Sequence, residues 1–313
     1  MIVRERPSGL KLFFILRGSI LPRIWGPLLV NTIMAALVAF THGVLFNFKI
    51  TLTTIPFTLI GLALAIFLGF RNGAAYDRYW EGRKLWGELV LRCRSLARQC
   101  QSLIDDSEPA QARRGLGDVR VRMTYRAIAF AHALRHHLRG TEGGAELRGL
   151  LPDEEWRESE KASNKPDFLL RRMGGDLGQC LKEARIEGCL AVAIDATLSA
   201  MSAVAAGCER ISGTPIPFSY TLLLHRTAYL YCFLLPFGLV DSIGFMTPFV
   251  VAIVAYTFFG LDALGDELEE PFGRSPNDLP LDAICRTIEI NLRESLDDEQ
   301  IPQPLAPVHY CLM

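Results

Sequence analysis

Residues 50–73 read ITLTTIPFTLIGLALAIFLGFRNG, and this stretch decides the fold. Its first 21 residues, Ile50 to Phe70, contain no Asp, Glu, Lys or Arg. A helix rises about 1.5 Å per residue, so a run of this length can cross a hydrocarbon core of roughly 30 Å. We therefore expect a membrane-spanning helix here, in an integral membrane protein.

Three further uncharged runs predict three more spans. Residues 24–48 and 242–261 contain 25 and 20 uncharged residues, which is enough for a crossing. Residues 227–240 offer only 14, a length that is equally typical of a re-entrant or buried helix. We favour a crossing, because another uncharged run precedes Arg226, whose long side chain can extend to the membrane surface. Pro236 should kink or end this helix.

The composition is typical of a membrane protein, and the net charge does not favour binding to a strongly charged partner. Half of the 313 residues are hydrophobic, and the formal net charge is only -1. The mean hydropathy is +0.22. No nucleic-acid partner is expected, since no basic excess is available to bind phosphates. The eight cysteines contain no C-x-x-C pair, so we interpret them as reduced packing residues, and the start of the chain lacks a signal-peptide cleavage pattern.

The distribution of basic residues predicts the orientation of the spans. Loops on the cytoplasmic side of a membrane carry an excess of Lys and Arg. The opposite loops each contain a single charged residue, Lys49 or Asp241. Both termini should therefore be cytoplasmic, in the inner (plasma) membrane of the cell. The basic residues are Arg4, Arg6, Lys11, Arg17 and Arg23 before the first span, and Arg71, Arg78, Arg83 and Lys84 after the second.

These features predict an all-α subunit with four transmembrane helices and a large helical cytosolic domain. Helical periodicity is visible in residues 85–104 and 121–138, whereas residues 141–166 have the composition of a loop. The expected division is a cytosolic segment over 1–23, transmembrane helices 1 and 2 over 24–70, the cytosolic helical domain over 71–210, transmembrane helices 3 and 4 over 211–261, and a cytosolic segment over 262–313.

The second span contains two stripes with four-residue spacing. Gly61, Ala65, Gly69 and Gly73 form a small-residue face, a pattern that lets helix backbones approach closely in lipid. One position further along, Leu62, Ile66 and Phe70 form an apolar stripe. If the small faces pack around a symmetry axis, the apolar stripe can line a narrow neck that gates by dewetting. From the pattern alone, contact with lipid or a partner helix is the more common role of such a stripe.

Three long motifs, in this order, resemble the bacterial branch of the bestrophin family. They are IFLGFRNGAAYDRYWEGRKLWGE at 66–88, GCERISGTPIPFSY at 207–220, and EEPFGRSPNDLPLD at 269–282. The similarity extends from the first span to about residue 291. Bestrophins are homopentamers with one pore along the fivefold axis, so the resemblance implies self-association around a central pore. It also favours the pore interpretation of the second span.

The resemblance assigns roles to several residues. It places the hydrophobic neck at Leu62, Ile66 and Phe70, and a second, cytosolic aperture at Cys189, with Ile186 as the alternative. Animal bestrophins bind calcium with an acidic cluster around a Pro-Phe-Gly segment. The corresponding residues here are Asp262, Asp266, Glu269 and Glu270, but the acidic run that should follow is replaced by RSPND. Because calcium needs six to eight oxygen ligands, a divalent cation is a weak expectation, and no cofactor is required.

The expected function is passive conduction of small monovalent ions, with lipid as the surrounding partner. An apolar neck cannot sort ions by charge, and the family contains both chloride and cation channels. Likeness to the bacterial branch slightly favours a sodium-like cation over chloride, and Asp195 and Glu209 could concentrate cations in a vestibule. The alternative function is a membrane-anchored scaffold or regulatory protein whose cytosolic domain binds a partner.

An enzyme is not expected. The sequence contains no P-loop, no G-x-S-x-G and no G-x-G-x-x-G motif. His132 and His136 are spaced like a metal-binding pair, but no third ligand is evident, so a packed or solvated pair is the expectation.

Overall fold

The computed structural model describes residues 1–4, 9, 11, 14–16, 18–45, 48–49 and 52–313, and side chains are not described at 44–45 and 48–49. The expected span residues Phe46, Asn47, Ile50 and Thr51 and the flanking Arg6 and Arg17 lie outside the described residues. Within the described part, the chain forms two compact units. The apolar unit comprises Glu5–Tyr79 and Pro215–Glu270, and the polar unit comprises Met1–Arg4, Trp80–Thr214 and Pro271–Met313.

From residue 18 onward, the described part of the apolar unit contains three α-helices and part of a fourth. They are α1 (Leu21–Phe40), the first half of α2 (Thr54–Leu103), α8 (Phe218–Ile243) and α9 (Thr247–Glu269). Between α1 and α2, Val44–Leu45 and Phe48–Lys49 form a two-residue antiparallel ladder, β1 and β2.

The first span is shorter than the uncharged run that predicted it. The helix ends at Phe40 rather than Phe48, because His42 and Gly43 adopt positive φ angles of 51° and 75°. A residue with positive φ just after the last turn is the common stop signal of a helix. Pro22 occupies the first turn, where its missing N–H costs nothing.

The third span is longer than its uncharged run. Helix α8 extends over 26 residues and includes Arg226, which is exposed, so the charge did not end the helix. Pro236 does not end it either, since the helix continues to Ile243.

Helices α8 and α9 form an antiparallel hairpin that buries three layers of apolar side chains. Leu235 packs with Val251, Cys232 with Ala255, and Ala228 beside Phe258. The two helices are joined by a turn at Gly244, whose φ is +53°. Together with α1 and α2, this hairpin supplies the four helices of the expected transmembrane subunit.

Four segments of the described chain are long and apolar enough to cross a membrane: Leu21–Phe40, Thr54–Leu103, Gly188–Gly213 and Phe218–Glu269. The last contains both α8 and α9. Gly188–Gly213 forms α7 of the polar unit, which sequence analysis placed in the cytosolic domain. Its residues Ile194, Met201 and Cys208 are buried. This apolar helix therefore contributes buried side chains to the polar unit.

The polar unit is built around α3 (Val119–Arg139), which is buried along most of its length. It packs against α6 (Lys165–Lys182), α7, and α10 (Leu281–Glu294). Asp118 caps α3 by accepting a hydrogen bond from the backbone N–H of Arg120 at 2.9 Å, and Gly140 ends it in the left-handed conformation. The expected loop over 141–166 in fact contains two short helices, α4 (Gly144–Arg148) and α5 (Asp153–Lys161).

Candidate functional site

Helix α2 has one face that packs within the apolar unit. Phe57, Leu64, Leu68, Arg71 and Ala75 are buried, with 0–9% of their surface exposed. Their spacing follows the 3.6-residue period of a helix, so they form one stripe. Phe57 packs against the α8–α9 hairpin, and Leu64 and Leu68 pack against α8. These contacts determine which side of α2 is not covered by its own subunit, and we call it the open side.

The apolar stripe lies on the open side of α2. Leu62, Ile66 and Phe70 are exposed by 61%, 48% and 66% in the single subunit. At about 100° per residue, these three positions lie roughly 180°, 140° and 100° around the helix from buried Arg71. Three large apolar side chains therefore point away from the core of their own subunit and are available to lipid or to other copies.

The small-residue face is divided between two environments. A Cβ atom added at Gly61 would lie 2.7 Å from the Tyr231 hydroxyl oxygen, so this glycine serves a close contact with α8 in the same subunit. Added Cβ atoms at Gly69 and Gly73 would meet nothing within 4 Å. Four-residue spacing drifts by about 40° per step around a helix, which carries the face from α8 to the open side. Ala65, between them, is exposed.

The two aperture candidates have different surroundings in the polar unit. Ile186 is buried, with 4% exposed, and precedes α7. Cys189 is exposed in the first turn of α7, and its sulfur lies 3.6 Å from a carboxylate oxygen of Glu187. Of the two, only Cys189 can face another copy or solvent as placed.

The acidic residues of α9 surround an arginine rather than an open cation site. Arg71 is completely buried, and its Nη1 donates to Asp262 Oδ1 at 2.8 Å. Its Nη2 donates to Asp266, and Glu269 Oε2 lies 3.9 Å away. Glu269 also accepts a hydrogen bond from the backbone N–H of Ile216 at 2.9 Å. The guanidinium therefore neutralises carboxylates that the resemblance assigned to calcium.

No group of three or more His, Cys, Asp or Glu side chains suited to a metal ion occurs among the described residues. Glu270, the fourth acidic candidate, lies at the end of α9 and is exposed. With Asp266, Glu269 and Arg23, it lines an open cavity of about 320 Å³. Arg23 brings a positive charge into this cavity, which further reduces its attraction for a cation.

The pair His132 and His136 belongs to a partly buried ion network of the polar unit. Glu146 Oε2 lies 3.3 Å from His132 Nδ1 and 3.0 Å from His136 Nε2, and Arg135 also contacts Glu146. Glu289 of α10 lies 3.5 Å from His132 Nε2. Burial alone would lower the pKa of His132, but the two carboxylates outweigh it and raise that pKa. The pair is packed and ion-paired, and Arg135 Nη2 lies 2.7 Å from His136 Nε2.

The two vestibule carboxylates also have different surroundings. Asp195 is exposed on α7. Glu209 accepts a hydrogen bond from Asn164 at 2.8 Å and lies 3.3 Å from His137 Nε2. The neighbouring Arg210 pairs with Glu81 at 2.6 Å. Asp195 is thus the better candidate for attracting ions.

Arg71 is the residue that sequence analysis overlooked, since it was interpreted only as a flanking basic residue. Two neighbours complete its surroundings: Asn72 donates to the Leu261 carbonyl oxygen at 3.0 Å, and His225 Nδ1 lies 2.6 Å from Asp262 Oδ2. A signal was present in the sequence. Asp262, Asp266 and Glu269 are spaced to share one helix face, and an isolated arginine ends an apolar run.

Comparisons with known proteins agree with the resemblance. The family described as Bacterial/Fungal Bestrophin protein matches residues 1–294. A protein of Mesorhizobium japonicum named as a voltage-dependent anion channel-forming protein is 45% identical over 95% of this chain and 93% of its own. The Escherichia coli K12 protein YneE, with the same functional name, is 42% identical over the full length of both chains.

Solved structures show the same fold. The crystal structure of a bacterial bestrophin homolog from Klebsiella pneumoniae has a TM-score of 0.80 and 40% sequence identity. The alignment covers 87% of this chain and 98% of the Klebsiella chain. This chain therefore belongs to the bestrophin family, in its bacterial and fungal branch.

Proposed function

We propose that copies of this chain assemble around a shared axis and conduct small monovalent ions passively through an apolar neck. The neck is formed by Leu62, Ile66 and Phe70 of α2. The observation that carries the proposal is the exposure of these side chains, 48–66%, on the side of α2 that faces away from the core of its own subunit. The family consists of channel-forming proteins rather than enzymes.

Two further observations support assembly through this side of α2. Gly69 and Gly73 leave space beside the stripe that no side chain of the same subunit fills. In lipid there is little hydrophobic drive between helices, so small residues on an open face favour close packing against another helix. The ring size of five follows from the resemblance to bestrophins. On this proposal, Cys189 lines a second constriction in the cytosol.

The proposal retains the division of the chain derived from sequence. Residues 24–70 and 211–261 span the inner membrane, and residues 1–23, 71–210 and 262–313 are cytoplasmic. The excess of basic residues before the first span and after the apolar run of the second supports this orientation. Arg83 is exposed beyond the apolar run, where it can interact with lipid headgroups.

For selectivity we propose a cation pathway, with an anion pathway as the competing candidate. The neck is uncharged, so selectivity must arise beyond it. Asp77 is exposed two turns after Phe70 on the same face of α2, and Asp195 is exposed on α7. Because both side chains are negatively charged, they attract cations. The anion pathway is favoured by the names of the relatives and by Lys84, seven residues beyond Asp77 on that face.

Replacement of the neck tests the proposal. The triple variant Leu62→Ala, Ile66→Ala, Phe70→Ala should raise ion flux in reconstituted liposomes, because a wider apolar constriction has a weaker dewetting barrier. The matched control truncates Ile60 and Phe67 on the same helix. Those side chains are also exposed, at 44% and 49%, but lie at the edge of the buried face rather than on the stripe. Unchanged flux from an intact triple-variant assembly would favour the scaffold function instead.

Reversal potentials in a planar bilayer then decide the selectivity. Under a salt gradient, a cation pathway gives a potential near the cation equilibrium value. A potential near the chloride value would overturn the cation proposal and leave the neck proposal standing.

A further inference from the structure

Arg71 follows Phe70 directly but points in another direction. It lies about 100° around α2 from Phe70 and about 180° from Leu62. Its guanidinium is buried between α2 and α9, where it contacts Asp262 and Asp266. It also donates to the backbone carbonyl of Asp262 at 3.2 Å. One side chain thus links the proposed neck helix to the hairpin behind it.

Two side chains of α2 come close to the backbone of α9 at this point. A Cβ atom added at Gly265 of α9 would lie 2.5 Å from Asn72 Oδ1 and 3.2 Å from Arg71 Nη1. A larger residue at position 265 would have to displace the side chains of Asn72 and Arg71. Asp262 also contacts α8, since its Oδ2 lies 2.6 Å from Nδ1 of His225. Three helices of the apolar unit are therefore connected through one carboxylate.

These polar contacts select one rotation of α2, which the apolar contacts of the same helix do not. Leu64 and Leu68 pack against Leu224 and Ala228, and apolar packing in lipid tolerates small rotations at little cost. The hydrogen bonds between a guanidinium and two carboxylates are directional. Leaving the guanidinium buried without them is strongly unfavourable, so rotation of α2 is opposed.

We propose that Arg71 is a positioning residue for the neck: its ion pairs with Asp262 and Asp266 hold α2 at the rotation that points Leu62, Ile66 and Phe70 toward the axis. Loss of an ion pair lets α2 turn, and the apolar ring no longer closes tightly. This role depends on the proposed channel function. It differs from calcium binding, because the same carboxylates act through a cation that the protein itself supplies.

Asp266→Asn is the mildest test, since the Asp266 side chain is 51% exposed and its loss should not prevent folding. We expect basal flux per assembled channel to rise by about tenfold, within a range of roughly 2 to 30 for residues that act through a network. Arg71→Lys keeps the charge but cannot hold two carboxylates in the same geometry, so it should have a smaller effect than Arg71→Met. The matched control is Glu267→Gln, which removes the same charge one residue further along, where the partner is Arg23.

A combination with the neck variant separates positioning from general stability. If Arg71 acts through the neck, Asp266→Asn should change flux by less than about twofold in the background with Leu62, Ile66 and Phe70 replaced by alanine. Equal fold-changes in both backgrounds, or unchanged flux from an intact Asp266→Asn assembly, would overturn the positioning role. If the triple-alanine variant itself does not alter flux, the channel proposal fails, and this outcome is distinct from the other two.

Discussion

Replacing Gly69 and Gly73 with leucine tests whether the open side of α2 contacts another copy. Within the subunit nothing lies within 4 Å of an added Cβ at either position. Glycine is about 0.8–1.0 kcal/mol less favourable than alanine in a helix interior, and leucine is nearly as good as alanine. In an isolated subunit, the double variant should therefore gain about 1.5 kcal/mol.

In an assembly that packs through this face, the same change has the opposite sign. Each added side chain must be accommodated at a close helix contact, and overpacking costs about 1–3 kcal/mol per site. The expected result is a subunit that folds at least as well as the parent but assembles less well. Thermal unfolding of the subunit and light scattering after detergent dilution measure the two effects separately.

Gly26→Leu is the matched control, because Gly26 of α1 also has no neighbour within 4 Å of an added Cβ. It should keep the assembly intact. If the Gly69→Leu, Gly73→Leu variant assembles as well as the parent, copies do not pack through this face, and the proposed neck loses its structural basis.

Three further results are expected. The pKa of His132 is raised above its ordinary value, so its contribution to stability is complete below about pH 6.5 and is lost as the pH rises through the raised pKa. His132→Gln should therefore flatten the decline in thermal stability above that pH. An unchanged decline would contradict this. Calcium at about millimolar concentration should leave flux unchanged, since Arg71 already pairs with the carboxylates of α9, and activation by calcium would refute this account of the acidic residues. A bulky thiol reagent should reduce flux by modifying Cys189, and Cys189→Ala should abolish that effect; inhibition that persists in Cys189→Ala would exclude this residue as the aperture.

Uncharged length was a good guide to the existence of the spans and a poor guide to their ends. The end of α1 depends on local backbone conformation at His42 and Gly43, which hydropathy does not record. The Thr-His-Gly sequence there contains a recognisable helix stop in its glycine. Conversely, α8 continues through Arg226, because a long basic side chain can reach the membrane surface while its helix continues.

The apolar stripe could be derived from the sequence because it depends only on the period of one helix. The surroundings of Arg71 could not, because Asp262 and Asp266 are 191 and 195 residues away in sequence. The spacing of residues in one helix indicates which of them share a face, but not which distant face they contact. For the same reason, the small-residue face was interpreted as one surface, although Tyr231 of the same subunit covers Gly61. The sequence also did not identify Glu146 and Glu289 as the partners of His132.

Cysteine cross-linking across the proposed axis tests the central claim most directly. Ile66 is 48% exposed on the apolar stripe, whereas Leu68, two residues on, is completely buried against α8. In membranes, and in a background with Cys189 and Cys311 replaced by alanine, Ile66→Cys copies should form covalent dimers on oxidation, while Leu68→Cys copies and the background chain should not. An Ile66→Cys protein that stays monomeric, or equal cross-linking at both positions, would contradict the existence of a neck lined by α2.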